Sequence, residues 1–434
     1  MSDLTLNVML GLVVAWPLLL AIPALHSRLP RPCYLALLPA AILLVLPGEA
    51  SLAPSWVLFE AGLAINGESR WLLAMCVSVW VVAATATTPP QRDVARDHHT
   101  LFFLLTLAGN LGAVLAADLV SFFCATTLMG YGFFGMLMQS GDAAARRAGC
   151  IYLICLIIAD LLLFEALLLA AFAAHDLQFS TLPQVMAGTA AAPTYWWIVC
   201  AGFMLKAGIW PVHLWLCASY RSAPQPAALL LGGVPVAMGL LGLVRWLPLG
   251  DVAIATLGTL FQILGVVAIL YSVARFFTCK DLTLRLAWII VAATGMFIMV
   301  LGTGLAYPDV WQPYSFLIYP FIAAFGVLAS AMSVVIRRID DRRQSTGVVS
   351  AQTDDFILRI MRSMDRMRES MTGKLSRLAS AWHTVALNGI AGLRGMCQCQ
   401  YLLLVAEKQL QRWPVAMTWF VLLATTVALL AFAY

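Results

Sequence analysis

The stretch Phe203-Met204-Leu205-Lys206-Ala207-Gly208-Ile209-Trp210-Pro211-Val212-His213-Leu214-Trp215-Leu216 begins inside an apolar run that opens near Tyr195. It sets a lysine near the middle of that run, then Gly208 and Pro211, then His213 at the far edge. A lysine deep in hydrocarbon costs about 2.5–3.5 kcal/mol on insertion scales. One kept there either has a partner or a water-lined cavity, or snorkels from a helix end to the headgroups. The run extends on both sides of Lys206, which favours the first reading. Pro211 has no N–H to donate and its ring clashes with the preceding turn, so the carbonyl of Ala207 loses its helical partner. Gly208 loosens the same turn. Broken helices at membrane depth occur where they are buried in protein or line an aqueous cavity. Lysine plus helix break is the arrangement of an ion pathway.

Of the 434 residues, 62% are hydrophobic and only 11% charged, which excludes a soluble globular domain. The formal net charge of +5 sits mainly in short segments between apolar runs. It is an orientation signal and not a nucleic-acid footprint. The first apolar run, 4–25, follows Asp3 and has no Ala-x-Ala-like cleavage site in the right setting, so a retained span is expected there. The ten cysteines show no ligand spacing, and Cys397-x-Cys399 is too close for an ordinary CxxC site. Most lie within apolar runs, as Cys76, Cys124, Cys155 and Cys200 do, and all are expected to be small buried hydrophobes. No Gly-rich phosphate loop follows a strand, so no nucleotide, flavin, iron–sulfur or metal cofactor is expected in this chain.

A membrane span needs roughly 20 mainly apolar residues. Spans are expected at 5–25, 33–53, 70–87, 100–117, 119–138, 150–174, 194–216, 226–246, 252–274, 284–304, 314–336 and 413–433, about twelve in all. Arg28 and Arg31, Arg92 and Arg96, Arg146 and Arg147, Arg221, Arg275 and Lys280, and the cluster Arg337, Arg338, Arg342 and Arg343 fall in alternate connections. The connections between carry Asp176, Asp251 and Asp309 instead. The positive-inside rule then puts the basic loops in the cytoplasm and both termini outside, in an inner (cytoplasmic) membrane. The long second loop, 47–69, is expected to hold a short outer hairpin over 56–65. From about 352 to 394, Ile357, Met361, Met364, Met367, Met371, Leu375, Leu378 and Trp382 recur at three- and four-residue steps, with Arg359, Arg362, Arg366 and Lys374 on other faces. This predicts a basic amphipathic helix along the cytoplasmic surface or against partner helices.

The residues after Lys206 carry a resemblance. Lys206, Pro211, His213-Leu214-Trp215-Leu216 and Ala223-Pro224-Gln225-Pro226 are similar to a lysine, proline, His-x-Trp-Leu-Pro and Ala-Pro-Thr-like series. That series belongs to the antiporter-like membrane subunits of respiratory complex I. The same superfamily includes subunits of energy-converting hydrogenases, multisubunit sodium/proton antiporters and two-component inorganic carbon transporters. Asp118-Leu119-Val120-Ser121-Phe122-Phe123 resembles the start of the family's fifth span, and Arg147-Ala148-Gly149 the entry to its sixth. The resemblance implies an all-α polytopic fold with a broken seventh helix and a cytoplasmic lateral helix. It divides the chain into three spans with an outer loop (1–99), a first antiporter-like repeat (100–250), a shortened second repeat (251–345), the lateral helix (346–412) and a last span (413–434).

The departures from the pattern bear on the chemistry. The family's fifth span carries a glutamate that pairs with the seventh-span lysine. Its position falls near Thr127, with no acid there. The eighth-span lysine or histidine has no equivalent in 232–243, and the tenth-span histidine position is taken by Ala293 or a neighbour. The second repeat is truncated. Asp160 and Glu165 remain deep in the sixth span. An unpaired carboxylate there stays protonated, whereas one beside a lysine can ionise. Five residues at about 100° each put the two acids about 140° apart around the helix, so both cannot point at Lys206. Glu165 is expected as the partner, with Asp160 a second station or a contact to a neighbouring subunit; alternatively both are protonated packing groups. His213 either relays protons, being an imidazole that titrates near neutrality, or packs as a hydrogen-bonded residue. Arg245 and Trp246 are expected as interface anchors at the end of the eighth span. Asn110 either hydrates a path or bonds between helices, and Pro224 marks a further helix break.

Three functions follow. The first is a proton-translocating, or sodium-translocating, energy-coupling subunit of a multisubunit complex, with a redox arm or hydrogenase as partner. The second is the energising membrane subunit of an inorganic carbon uptake complex with a zinc carbonic-anhydrase-like subunit. The third is a structural anchor without transport. In each the partners are other membrane subunits and a cytoplasmic or peripheral subunit. A lone enzyme is not expected, since the soluble segments are too short to build a site.

Overall fold

In hydrocarbon every backbone polar group must find its partner within the protein, and a helix does so within one segment. In the computed structural model, which describes residues 3–345 apart from 27, 30, 54–61, 87–92, 175–176 and 280, the chain is accordingly almost all helix. The lateral helix expected over 346–412 and the span over 413–434 lie outside the described residues. The first part comprises α1 (Asp3–Leu20), α2 (Pro23–His26), α3 (Pro32–Leu35), α4 (Leu38–Val45), the strands β1 (Ala50–Leu52) and β2 (Leu63–Ile65), α5 (Gly67–Ala86), α6 (Asp93–Leu115) and α7 (Leu119–Leu137). Then come α8 (Ala143–Ala173), α9 (Leu182–Ala187), α10 (Ala192–Ala207), α11 (Leu214–Ser222), α12 (Gln225–Leu231) and α13 (Ala237–Trp246). The described part ends with α14 (Ala255–Thr278), α15 (Leu282–Ala306), α16 (Pro308–Trp311) and α17 (Ile318–Ser345).

Eight helical stretches among the described residues are long and apolar enough to cross a membrane. They fall on the segments expected at 70–87, 100–117, 119–138, 150–174, 226–246, 252–274, 284–304 and 314–336. The protein is an all-α, multi-pass membrane protein. The segment expected as one rod over 33–53 is instead α3, α4 and then β1. β1 and β2 pair antiparallel, Ala50 opposite Ile65 and Leu52 opposite Leu63. Most of the hairpin expected over 56–65 lies outside the described residues, but β2 falls at its end.

Asp118 ties this ribbon to the bundle. It is the N-cap of α7, where its side chain accepts from the Ser121 N–H at 2.8 Å. The same carboxylate accepts from the Ser121 hydroxyl and from the Gly62 N–H, at 2.8 and 2.7 Å. A capping carboxylate satisfies amides that the helix start leaves free.

α12 and α13 form one rod joined by a π-helical turn, Gly232–Val236, that contains Pro235. Nearly all of the residues of this rod are buried within the chain, and its neighbours α5, α10 and α17 are arranged about it. The seventh span is broken. α10 ends at Ala207, and Gly208 takes the left-handed conformation, φ 62° and ψ 40°. The Ile209 N–H bonds back to Met204 and the Gly208 N–H to Leu205, which closes the helix as a Schellman motif. Pro211 therefore lies inside the break, and Gly208 begins it. α11 restarts at Leu214 with His213 as N-cap, and Pro224 separates α11 from α12.

Candidate functional site

Lys206 occupies the last turn of α10, just before the break. Its ammonium Nζ lies 2.8 Å from Asp160 Oδ1 on α8 and donates to Thr126 Oγ1 on α7 at 3.0 Å. The ring of Phe123 lies 6.0 Å from Nζ. Lys206 is 8% exposed, Asp160 7% and Thr126 1%, so the side chain does not reach out to headgroups. An ion pair at this depth can hold because each charge offsets the other's desolvation, and the Thr126 hydroxyl takes a second ammonium proton. The second carboxylate oxygen, Asp160 Oδ2, is buried without a hydrogen bond among the described residues.

The expected partner was Glu165, and the structure corrects this. α8 turns Ala159, Asp160 and Leu163 toward α10. The two helices approach at Gly202, where a Cβ would meet Leu163 Cγ at 2.7 Å. Gly202 lies one turn before Lys206, so the close approach delivers Asp160 to the ammonium. Glu165, about 140° further round α8, is half-buried and makes no hydrogen bond or ion pair with any described residue. On α7 the residue at the lysine is Thr126. Its neighbour Thr127 has a buried hydroxyl oxygen with no hydrogen-bond partner among the described residues. Phe122, Thr126, Met129 and Phe133 share the buried side of α7 at helical spacing. That stripe is present in the sequence, and it is the signal that identifies Thr126.

A small cavity at Lys206 is bounded by Thr126, Met129, Tyr152, Trp215, Pro235 and Met238. It leaves ≈ 10 Å³ for the centres of water molecules, comparable with the ~10–15 Å³ that a single water requires. The π-helical turn and the break in the seventh span both face it, through Pro235 and Trp215. The Trp215 indole N–H donates across the break to the carbonyl of Leu205 at 2.8 Å, a second donor on the acceptor that also takes the Gly208 N–H.

The other expected residues lie elsewhere. His213 is 5% exposed and packs between Tyr271 and Trp288, with ring centroids 5.8 and 5.3 Å away. Its Nδ1 has no hydrogen-bond partner among the described residues. Neither Lys206 nor Asp160 touches it. Asn110 is fully buried; its Oδ1 accepts from Trp80 Nε1 at 2.8 Å and Cys76 Sγ at 3.1 Å. It joins α5 to α6 and does not reach the lysine. Arg245 and Trp246 are not surface anchors. Arg245 donates to the carbonyls of Ala113, Val114 and Ala116 at the end of α6, at 2.9, 2.8 and 3.1 Å. Its guanidinium lies over Phe122 and Phe179. Trp246 is buried against Phe203. Cys76 and Cys200 are buried as expected, but Cys124 and Cys150 are exposed, because both lie on outward faces of their helices. Among the described residues no group of three or more His, Cys, Asp or Glu side chains is placed to hold a metal ion.

Comparison with known proteins agrees with this architecture. The sequence pattern of the NADH:quinone oxidoreductase/Mrp antiporter transmembrane family matches residues 116–427. Hydrogenase-4 component B of Escherichia coli (strain K12) is 24% identical over 242 residues, 53% of this chain and 35% of that protein. NADH-quinone oxidoreductase subunit M of Rhodobacter capsulatus is 24% identical over 259 residues, 56% of this chain and 50% of that protein. The chain thus spans between a third and a half of the length of these relatives. A chain of the Mrp complex from Dietzia sp. DQ12-45-1b superposes with a TM-score of 0.63 at 17% identity, covering 78% of this chain and 64% of that one. The shared feature there is the fold.

Proposed function

The chain belongs to the NADH:quinone oxidoreductase/Mrp antiporter transmembrane family, and on that premise we propose that it is a proton-translocating subunit of a multisubunit membrane complex. The observation that carries this reading is the buried pair of Lys206 and Asp160, 2.8 Å apart, set between two irregular helix segments. In this reading Asp160 takes the place of the family's fifth-span glutamate, one helix further along the chain. Thr126, beside the position expected for that glutamate, supplies a neutral oxygen to the ammonium.

The mechanism uses three properties of the site. An opposite charge in contact holds the amine in its charged form, so drawing Asp160 away changes the affinity of Lys206 for its proton. Gly208 and the π-helical turn are the places where the helices can give without losing regular hydrogen bonds. The cavity has room for about one water, so a proton arrives and leaves only when a wider water chain opens. His213, at the basic-loop end of the seventh span, is the group nearest in sequence that can pass a proton between cytoplasmic water and that chain. The basic loops face the cytoplasm in this reading, in the inner membrane, with a cytoplasmic or peripheral partner subunit supplying the driving chemistry. Sodium is the alternative cargo.

A second reading, a structural anchor without transport, draws support from the neutral residues Thr126 and Thr127 near the family's acid position. Vesicles reconstituted with the intact complex separate the two. Lys206→Ala and Asp160→Asn, assayed for proton flux after matching for assembled complex, should each lower flux at least tenfold. Flux equal to wild type in both variants would leave only the anchor.

A further inference from the structure

Glu165 lies half-buried on a face of α8 that the described residues cover only in part. Ile154, Ile158, Leu161, Glu165, Leu168 and Phe172 follow one another at alternating steps of four and three, the spacing of a seam that receives a second helix. Ile154, Leu161, Leu168 and Phe172 are exposed, and Phe172 almost wholly so. Glu165 stands in the middle of this stripe, about 7.5 Å along the axis from Asp160, and makes no hydrogen bond or ion pair with a described residue. An ionised carboxylate facing lipid at that depth costs several kcal/mol, and such residues are almost always turned to protein or water.

No cation among the described residues meets it. Lys206 is taken by Asp160 and Thr126. The apolar run 413–433, outside the described residues, contains no lysine, arginine or histidine. A second copy seated on the same stripe would bring two carboxylates together, which disfavours ionising both. We infer that the outward face of α8 seats a transmembrane helix of a different subunit that carries a lysine, arginine or histidine level with Glu165. Apolar packing along the seam and one charged hydrogen bond in its middle would then fix that helix in both register and identity.

The test uses the intact complex in its own membrane. A photoreactive benzoylphenylalanine is placed at Leu161 or Leu168, with Leu270 on α14 as the control position. After irradiation, the complex is purified through this chain and the cross-linked peptides are mapped. The expected result is capture from 161 and 168, but not from 270, of one transmembrane helix of another subunit, with a basic residue between the two captured positions. Capture of lipid alone, of a second copy, of this chain's own 346–434, of a helix without a basic residue, or of nothing overturns the inference. A second measurement does not depend on cross-linking. Glu165→Lys should lower recovery of that subunit at least tenfold while this chain still elutes as a single species, and Glu165→Gln should lower it less. Wild-type recovery with Glu165→Lys also overturns the inference.

Discussion

The indole of Trp215 is bonded to the carbonyl of Leu205, 2.8 Å away across the broken part of the seventh span. Leu205 immediately precedes the lysine, so this side chain lets α11 hold the end of α10. Trp215 also meets Tyr152 of α8 edge to face, at 5.1 Å. The helix that carries Lys206 and the helix that carries Asp160 are thus both in contact with one aromatic ring.

Trp215→Phe keeps the ring and removes the bond. The expected loss is about 0.5–1.5 kcal/mol of stability, read as a lower thermal midpoint of the purified complex. Proton flux should fall several-fold without loss of assembly, because the amine loses its fixed position while keeping its partner.

Asp160→Asn leaves a buried ammonium without its counter-charge, and breaking such a pair costs about 3–5 kcal/mol. Lys206→Met combined with Asp160→Leu removes both charges and should recover most of that loss in thermal denaturation. The double variant should remain inactive in flux. Recovery of stability without activity identifies the pair as functional rather than a support for the fold.

Asn110→Leu strips the acceptor from Trp80 and Cys76 in a fully buried position. An orphaned buried donor costs about 1–3 kcal/mol. The expected outcome is a lower thermal midpoint with unchanged flux per assembled complex, since Asn110 does not touch Lys206.

Arg245→Leu abandons three carbonyls at the end of α6 and the favourable end of its dipole. A loss of about 2 kcal/mol is expected from these bonds together. Arg245→Lys should recover part of it, because an ammonium reaches fewer of the carbonyls than a planar fork does. Limited proteolysis in the α6–α7 connection, faster in Arg245→Leu than in wild type, would report it.

The helical character of the chain, the break after Lys206 and the family were legible in the sequence because each rests on composition or local backbone chemistry. Gly208 and Pro211 announce an interruption whatever surrounds them. The partner of Lys206 was not legible in the same way. α8 is apolar on all sides, so no hydrophobic contrast says which of its faces turns inward, and Asp160 and Glu165 look alike along the chain. The answer lies in Gly202, whose missing side chain admits Leu163 and, with it, the Asp160 face. Arg245 was misplaced for a related reason. Position at a span's end suggests an anchor in the headgroups, but the carbonyls that claim it belong to a helix more than a hundred residues away in sequence.

Asp118 gives the small β-ribbon a reach beyond its size. The carboxylate that starts α7 also holds the Gly62 amide beside β2. Eight residues, about 12 Å, further along the same rod, Thr126 meets the amine. A pull on the ribbon, from an antibody fragment or a neighbouring chain, would then be felt at the other end of this rod, and the ribbon offers a handle on the Lys206–Asp160 pair.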